Sequence, residues 1–259
     1  MRWGRAVIIS VGALGLGCGV VGAALAFGLV TGVPGEPPVA RSEPAPAPTT
    51  VTDAPVERAA PVTNPAAPAE RRADPGWVAQ IASATGIPER AMTAYAQAAI
   101  RAEAATPGCG IGWNTLAAIG LVESAHGSIN GATLGADGRA RPAITGPALD
   151  GTVYDAIPDT DGGALDGDAT WDRAVGPMQF LPATWQSYGR DATGTGTPDP
   201  HQIDDAAWGA ATMLCDIGGD LTQPENWIRA VDSYNPNIAF NNDVADAADA
   251  YAAAVGAAE

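Results

Sequence analysis

The chain has 259 residues, which is enough for one domain of ordinary size with accessory segments. Its formal net charge is −16 at pH 7, and residues 77–259 carry all of it, because arginine balances the acids before that point. So acidic a domain repels a phosphate backbone, which argues against nucleic acid as a partner and favours a neutral or cationic polymer. Solubility alone explains the charge equally well.

The first 31 residues have the layout of an export signal. Arg2 and Arg5 precede an almost unbroken apolar run over residues 6–30. Cleavage after Ala26, in an A-x-A pattern, predicts a secreted protein. The run is also long enough to span a bilayer, so an uncleaved membrane anchor is the alternative. Either outcome predicts that the rest of the chain works outside the cytoplasm.

Residues 32–76 are rich in Pro and Ala and contain little that a core could bury. Proline removes hydrogen-bond donors and favours extended polyproline II, so the composition predicts a disordered, semi-rigid tether. Its expected use is reach, holding the following domain away from the membrane.

A mainly α domain is predicted over residues 77–259. Asn114 is expected to cap a helix that runs through Glu123 and stops near Gly127. Other helical patterns cover residues 88–104, 204–217 and 242–254, and a further helix is expected to start at residues 181–185. Residues 127–172 are rich in Gly, Asp and Pro without clear period, and they predict a long irregular flap or a short β-hairpin.

The cysteines favour a disulfide. Cys18 lies in the apolar run, which leaves Cys109 and Cys215 as an even pair in an exported domain. Two buried free thiols are the alternative. No spacing of Cys and His suggests a metal site.

Glu123 is the leading candidate for chemistry. It lies in the last turn of a predicted helix whose preceding residues are nearly all apolar. Apolar surroundings and the negative end of the helix dipole both raise a carboxyl pKa. A carboxylic acid that stays protonated near neutral pH can protonate the leaving oxygen of a glycosidic bond. By position alone, a surface glutamate at a frayed helix end remains the simpler interpretation.

Three segments in order resemble one enzyme family. Residues 121–127, LVESAHG, resemble the catalytic Glu-Ser element of lytic transglycosylases in the lysozyme-like superfamily. Residues 174–185, AVGPMQFLPATW, are similar to the G-x-M-Q-F-x-P-S-x-W element of the membrane-bound type B enzymes, which carry a transglycosylase SLT domain. Residues 233–235, SYN, resemble the family's Tyr-Asn element. The resemblance covers residues 87–254.

The resemblance implies a lysozyme-like fold and cleavage of the MurNAc-GlcNAc β-1,4 bond of peptidoglycan, with a 1,6-anhydromuramoyl product. Glu123 would be the single acid and base. The expected substrate-binding residues are Ser124, Met178, Gln179, Phe180, Tyr234 and Asn235. Phe180, Trp185 and Trp208 also suit a core at their helical spacing. We expect a monomer acting on glycan strands.

Several alternatives remain open at this level. A second acid from Asp159, Asp161, Asp166, Asp168 or Asp172 would make the protein a hydrolytic muramidase, since ordinary glycosidases use two carboxylates. We expect these aspartates to shape the flap instead. A non-catalytic peptidoglycan-binding module and a hydrolase for chitin are further alternatives.

No cofactor is expected. Relatives of the type B enzyme often carry an EF-hand-like calcium loop, and residues 191–199 correspond to it. Asp191 and Asp199 fit the pattern, but Thr195 replaces an expected carboxylate and Gln202 stands where a bidentate acid belongs. An ordinary turn is the preferred interpretation of this segment. His126 and His201 are not expected to act as catalytic acids or bases.

Overall fold

The computed structural model of the chain describes residues 71–256. The expected signal segment, residues 1–31, and the expected tether up to residue 70 lie outside the described residues. The elements in chain order are α1 Pro75–Thr85, α2 Glu89–Ala105, α3 Trp113–Ser124, β1 Thr133–Leu134, β2 Ala140–Arg141, α4 Pro182–Tyr188, α5 Ile203–Gly218, α6 Pro224–Tyr234 and α7 Ile238–Gly256, with one 3-10 turn at Ile129–Gly131. Within residues 71–256, no helix combines the length and apolarity needed to cross a bilayer.

The predicted mainly α class is confirmed, and α2 and α5 lie within one residue of their predicted bounds at each end. Two helices were not predicted. The first, α1, begins at Pro75, where the Asp74 carboxylate accepts a hydrogen bond from the Trp77 N–H at 2.8 Å. It ends at Gly86, whose φ of 75° is suited to glycine. The second, α6, begins with Pro224 and Glu225, the same Pro-acid start that marked α2.

The predicted cap of α3 is wrong. The helix begins two residues earlier than expected, with Gly112 as the N-cap residue and no side-chain cap. Asn114 lies inside the first turn, and its amide instead donates to the Ala248 carbonyl oxygen of α7 at 3.2 Å. The asparagine therefore joins two helices, which a pattern along one helix does not reveal. The last helix also starts earlier than predicted, at Ile238.

The core is built around α5, which packs against α2, α4 and α6, while α3 packs against α7 and α2. Small side chains on α2 allow the close approach, since Ala91, Ala94 and Ala98 are at most 1% exposed. The apolar residues of α3 and α5 fill the space between the helices. The helices thus form one hydrophobic core that supports the end of α3.

The predicted disulfide is present. Cys109, in the segment before α3, is bonded to Cys215 in the last turn of α5, and their Cα atoms are 5.4 Å apart. The Leu221 N–H donates to the Cys109 carbonyl oxygen at 2.7 Å, so the backbone beyond α5 also pairs with this segment. The bond joins parts of the chain 106 residues apart.

The stretch after α3 combines both predicted forms, an irregular flap and a short hairpin. The strands β1 and β2 pair antiparallel, with Thr133 opposite Arg141 and Leu134 opposite Ala140. Further along, single bridges join Thr145 to Val175 and residues 158 to 171. The flap is therefore ordered by backbone pairing within it and with Val175.

Candidate active site

The C-terminal end of α3 carries Glu123 and turns sharply after it. The backbone φ is 48° at Ala125, 59° at His126 and 83° at Gly127. The His126 N–H reaches back to the Gly120 carbonyl oxygen at 2.9 Å, which satisfies one of the terminal carbonyls of the helix. Left-handed backbone is uncommon for residues other than glycine and persists only where the surroundings hold it, often at functional sites.

The Glu123 carboxyl is half-buried and unpaired. Within residues 71–256, no group forms a hydrogen bond or an ion pair with it. Burial raises the pKa of this carboxyl from an ordinary 4.5 to about 8, because an apolar environment disfavours the charged form. The group is therefore protonated at neutral pH, and its proton is free to be donated to a ligand.

The Gly-Pro-Met-Gln segment forms a tight loop between Val175 and Phe180. These two residues exchange backbone hydrogen bonds of 2.9 and 3.0 Å. Gln179 has φ 49°, and its Nε2 atom donates to the Gly176 carbonyl oxygen at 2.9 Å. Gly176 has φ 76°, and an added Cβ would lie 1.8 Å from the Pro200 carbonyl oxygen. Only glycine fits there, because any side chain would collide with that oxygen.

Two hydroxyl groups fasten this loop to helix ends. The Ser124 Oγ donates to the Pro177 carbonyl oxygen at 2.6 Å and accepts from the Gly127 N–H at 2.8 Å. The Tyr234 hydroxyl, at the end of α6, donates to the neighbouring Met178 carbonyl oxygen at 2.7 Å. Burial raises the pKa of Tyr234 well above 10, and the nearby charge of Glu123 adds to the rise. The ends of α3 and α6 and the loop therefore meet beside the Glu123 carboxyl.

Three of the predicted substrate-binding residues are buried, namely Ser124 at the end of α3 and, in the core, Met178 and Phe180. Met178 is 0% exposed and Phe180 is 2% exposed. The Phe180 ring packs edge-on against Tyr234, with centroids 5.7 Å apart, and against Trp185 at 5.1 Å. These side chains therefore support Tyr234 from within the protein and offer no open surface to a ligand. Trp185 is buried beside them, as its alternative interpretation expected.

Gln179, Tyr234 and Asn235 remain partly open to solvent. An added Cβ at Gly146 would lie 3.2 Å from the Gln179 Oε1 atom, so this amide faces the flap. Asn235 follows α6 directly, and in the described part of the chain its side-chain amide has no hydrogen-bond partner. The open amide of Asn235 and the remaining hydrogen-bonding capacity of Gln179 suit the hydroxyl and acetamido groups of a sugar.

The aspartates of residues 159–172 fold the flap. Asp159 accepts hydrogen bonds from three successive backbone N–H groups, and Asp161 does the same one turn later. Asp168 is paired with Arg173 at 2.8 Å, and Asp172, 0% exposed, accepts from the N–H and hydroxyl of Thr160. Burial is the cause of the raised Glu123 pKa, and no carboxylate of residues 71–256 contributes to it.

Residues 191–199 form a loop in which aspartate side chains accept hydrogen bonds from the backbone. The Asp191 carboxylate accepts from the backbone N–H groups of residues 194–196. Asp199 is paired with Arg139 and accepts from the His201 N–H at 2.9 Å. The fully buried Asp205 reaches into the loop but accepts from three of its backbone N–H groups. The carboxylates of this loop are therefore hydrogen-bonded to its own backbone, and the preference for an ordinary turn over a calcium site stays a prediction.

A buried hydrogen-bonded chain behind α3 was not predicted. Tyr95 of α2 is 3.1 Å from His126 Nδ1, and Tyr251 of α7 is 2.9 Å from His126 Nε2. Burial lowers the pKa of His126 to about 4, so the ring is neutral at neutral pH. The two tyrosines stand in alanine-rich helices far from His126 in sequence. No pattern along the chain signals their convergence.

No family model matches the chain, and no curated protein does either. Among solved structures, the chain is similar to that of the Escherichia coli lytic transglycosylase Slt35 in complex with bulgecin A. The two share 14% sequence identity, the match covers 73% of this chain and 81% of the other, and the TM-score is 0.41. A likeness of this size leaves the chemistry of the present site to be argued from its own residues.

Proposed function

We propose that the chain is a peptidoglycan lytic transglycosylase that cleaves the MurNAc-GlcNAc β-1,4 bond with Glu123 as its single acid and base. The observation that carries the proposal is the half-buried, unpaired Glu123 carboxyl, whose pKa of about 8 keeps it protonated at neutral pH. The resemblance of residues 121–127, 174–185 and 233–235 to type B lytic transglycosylases and their lysozyme-like fold supports the choice of substrate.

In the first step, the protonated Glu123 donates its proton to the glycosidic oxygen. The bond between that oxygen and C1 of the muramoyl sugar breaks, and the electron pair leaves with the oxygen. Positive charge develops at C1, and the acetamide of the same sugar stabilises it. Glu123 is left as a carboxylate.

In the second step, that carboxylate takes the proton of the sugar's own 6-hydroxyl, whose oxygen forms a bond to C1. The product is a 1,6-anhydromuramoyl end, and Glu123 is protonated again without the entry of water. Gln179 and Asn235 would bind acetamido and hydroxyl groups, while Tyr234 would present a ring face to a sugar. Ser124, Met178 and Phe180 would act from beneath, by holding the loop and Tyr234 in place.

Substitution of Glu123 tests the assignment. We expect Glu123→Gln to abolish release of muropeptides from purified sacculi while binding to sacculi persists, because glutamine cannot donate the proton. The matched control is Glu103→Gln, an exposed glutamate on α2, which should behave as wild type. Lysis that survives in Glu123→Gln would refute the site.

Mass spectrometry of the wild-type products tests the reaction type. Anhydro ends, each lighter than a reducing end by one water, support transglycosylation. Reducing ends would instead identify a hydrolytic muramidase with a second acid. Sacculus binding without any product would identify a binding module.

The disulfide between Cys109 and Cys215 is typical of proteins outside the cytoplasm. We further propose that residues 1–31 direct export and that the domain acts in the cell wall as a monomer without a cofactor. Fractionation of cells that express the full chain distinguishes a membrane-anchored form from a secreted one.

A further inference from the structure

The hydrogen-bonded chain of Tyr95, His126 and Tyr251 has no part in the steps above, yet it is attached to the turn that follows Glu123. His126 is three residues beyond the acid, and both of its ring nitrogens are bonded to buried tyrosine hydroxyls. A neutral imidazole has one donor and one acceptor, so one tyrosine donates to the ring and the other accepts from it. The ring is thereby fixed in one orientation from two sides.

The backbone around His126 is shaped to receive this contact. Ala125 and His126 both have positive φ, a conformation that is costly for residues with a side chain. At Gly120, one turn before the acid, an added Cβ would lie 2.0 Å from the Tyr95 hydroxyl oxygen. A glycine in the helix thus gives the tyrosine its room. The strained turn and the open helix face both serve one buried contact.

The strained conformation of residues 125–127 also supports the candidate site. With residues 125–127 in this conformation, the Gly127 N–H reaches the Ser124 hydroxyl, and that hydroxyl is aimed at the Pro177 carbonyl oxygen. The orientation of the last turn of α3, and hence of the Glu123 carboxyl, therefore depends on the conformation of residues 125–127.

We propose that Tyr95, His126 and Tyr251 are positioning residues for Glu123, holding the strained end of α3 from α2 on one side and α7 on the other. The proposal rests on the function proposed above. It joins the acid to two helices that carry none of the residues expected to meet the substrate.

Tyr251→Phe provides the test, because it removes one hydroxyl and keeps the ring. Loosening the turn by the worth of one hydrogen bond should lower kcat by about tenfold with little change in KM. Water should also reach the carboxyl more easily, so the alkaline limb of the pH-rate profile should move to lower pH. Tyr234 of α6 is the titratable group that interacts with Glu123, and it is unchanged in this variant. His126, bonded by Tyr95 and Tyr251, has a pKa of about 4 and is therefore neutral over the pH range of the alkaline limb.

The matched control is Tyr188→Phe, which removes an exposed tyrosine hydroxyl bonded to Asp216 at 3.0 Å and should leave kcat and the limb unchanged. All assays are made at a temperature where thermal melts show every variant folded, so a stability effect alone leaves kcat unaltered. Hydrogen exchange of the amides of residues 125–128 gives a second measurement that needs no activity. We expect it to be faster in Tyr251→Phe.

If Tyr251→Phe has the same kcat, the same alkaline limb and the same exchange rates as wild type, the positioning role is overturned. If Glu123→Gln is inactive at the same time, the proposed function stands and only this inference fails. If Glu123→Gln retains activity, the failure lies with the proposed function instead.

Discussion

At the scale of single residues, the site depends on one carboxyl in an unusual position. The position of Glu123 at the end of an apolar helix was visible in the sequence, and so was the direction of its pKa shift. The two hydroxyl contacts to neighbouring carbonyls, from Ser124 and Tyr234, were not visible. They depend on how the ends of α3 and α6 approach a loop that is distant from both in the chain.

The raised pKa of Glu123 predicts an alkaline limit to activity. The acid form must be present to protonate the leaving oxygen, so the rate should be high below pH 8 and fall above it, by about tenfold per pH unit. Initial rates of sacculus solubilisation between about pH 5 and pH 10 measure this fall in activity. Binding of Glu123→Gln to sacculi over the same range is the control, since it separates titration of the acid from loss of affinity. A rate that is flat through pH 8 and 9 would contradict the assignment of the acid.

The same shift also predicts a dependence of stability on pH. The folded-state pKa of Glu123, about 8, exceeds its ordinary value of 4.5, so the folded protein holds the proton more tightly than the unfolded chain does. Its contribution to stability is therefore complete below the lower value and is lost as pH rises towards the higher one. Glutamine does not titrate, so the melting temperature of wild type relative to Glu123→Gln should fall between about pH 5 and pH 9. A constant difference in thermal melts would show that the carboxyl is not buried.

At the scale of elements, the sequence was most informative where a pattern stayed within one segment. The helices α2 and α5 were predicted closely because each has its own periodic apolar face. The helix α1 was missed because its Pro-Gly start continues the composition of the tether before it, although Asp74 and Gly86 mark its two ends. The helix α6 was missed although a proline and an acid mark its start; it fully buries only Ala230 and Val231. The hairpin was too short to distinguish from a flap.

The loop of residues 191–199 carries a prediction of its own. Its carboxylates are taken up by backbone N–H groups and by Arg139, and none of these bonds needs a cation. A chelator should therefore leave both the melting temperature and the rate of sacculus solubilisation unchanged, and added Ca²⁺ should not raise either. The matched perturbation is Arg139→Gln, which should lower the melting temperature slightly by removing the partly exposed ion pair with Asp199. A melting temperature that falls with chelator would identify a metal site here.

At the scale of the whole molecule, one covalent bond closes a loop across the domain. Cys109 and Cys215 are 106 residues apart, and the chain between them includes α3, the flap, α4 and most of α5. The pair was predictable from an even count of cysteines in a domain that we expected to be exported. Which helices it would join was not, because that depends on how the last turn of α5 approaches the segment before α3.

Reduction of this bond should destabilise the domain. By the loop-entropy relation, its loss lowers the free energy of unfolding by about 4 to 5 kcal/mol, because the unfolded chain regains the freedom that the bond removed. Urea unfolding with and without reductant measures the change. The control is the double variant Cys109→Ser with Cys215→Ser, whose midpoint should not respond to reductant. If reductant leaves the wild-type midpoint in place, the bond contributes nothing to stability.

The fastening of the Gly176–Gln179 loop by Ser124 and Tyr234 has a consequence for a shortened chain. The acid, the loop and the tyrosine come from three separate stretches, and Tyr251 comes from near the end of the chain. A chain shortened to lack α6 and α7 holds Glu123 and Ser124 but not Tyr234 or Tyr251. Such a shortened chain is therefore expected to lack the lytic activity proposed above.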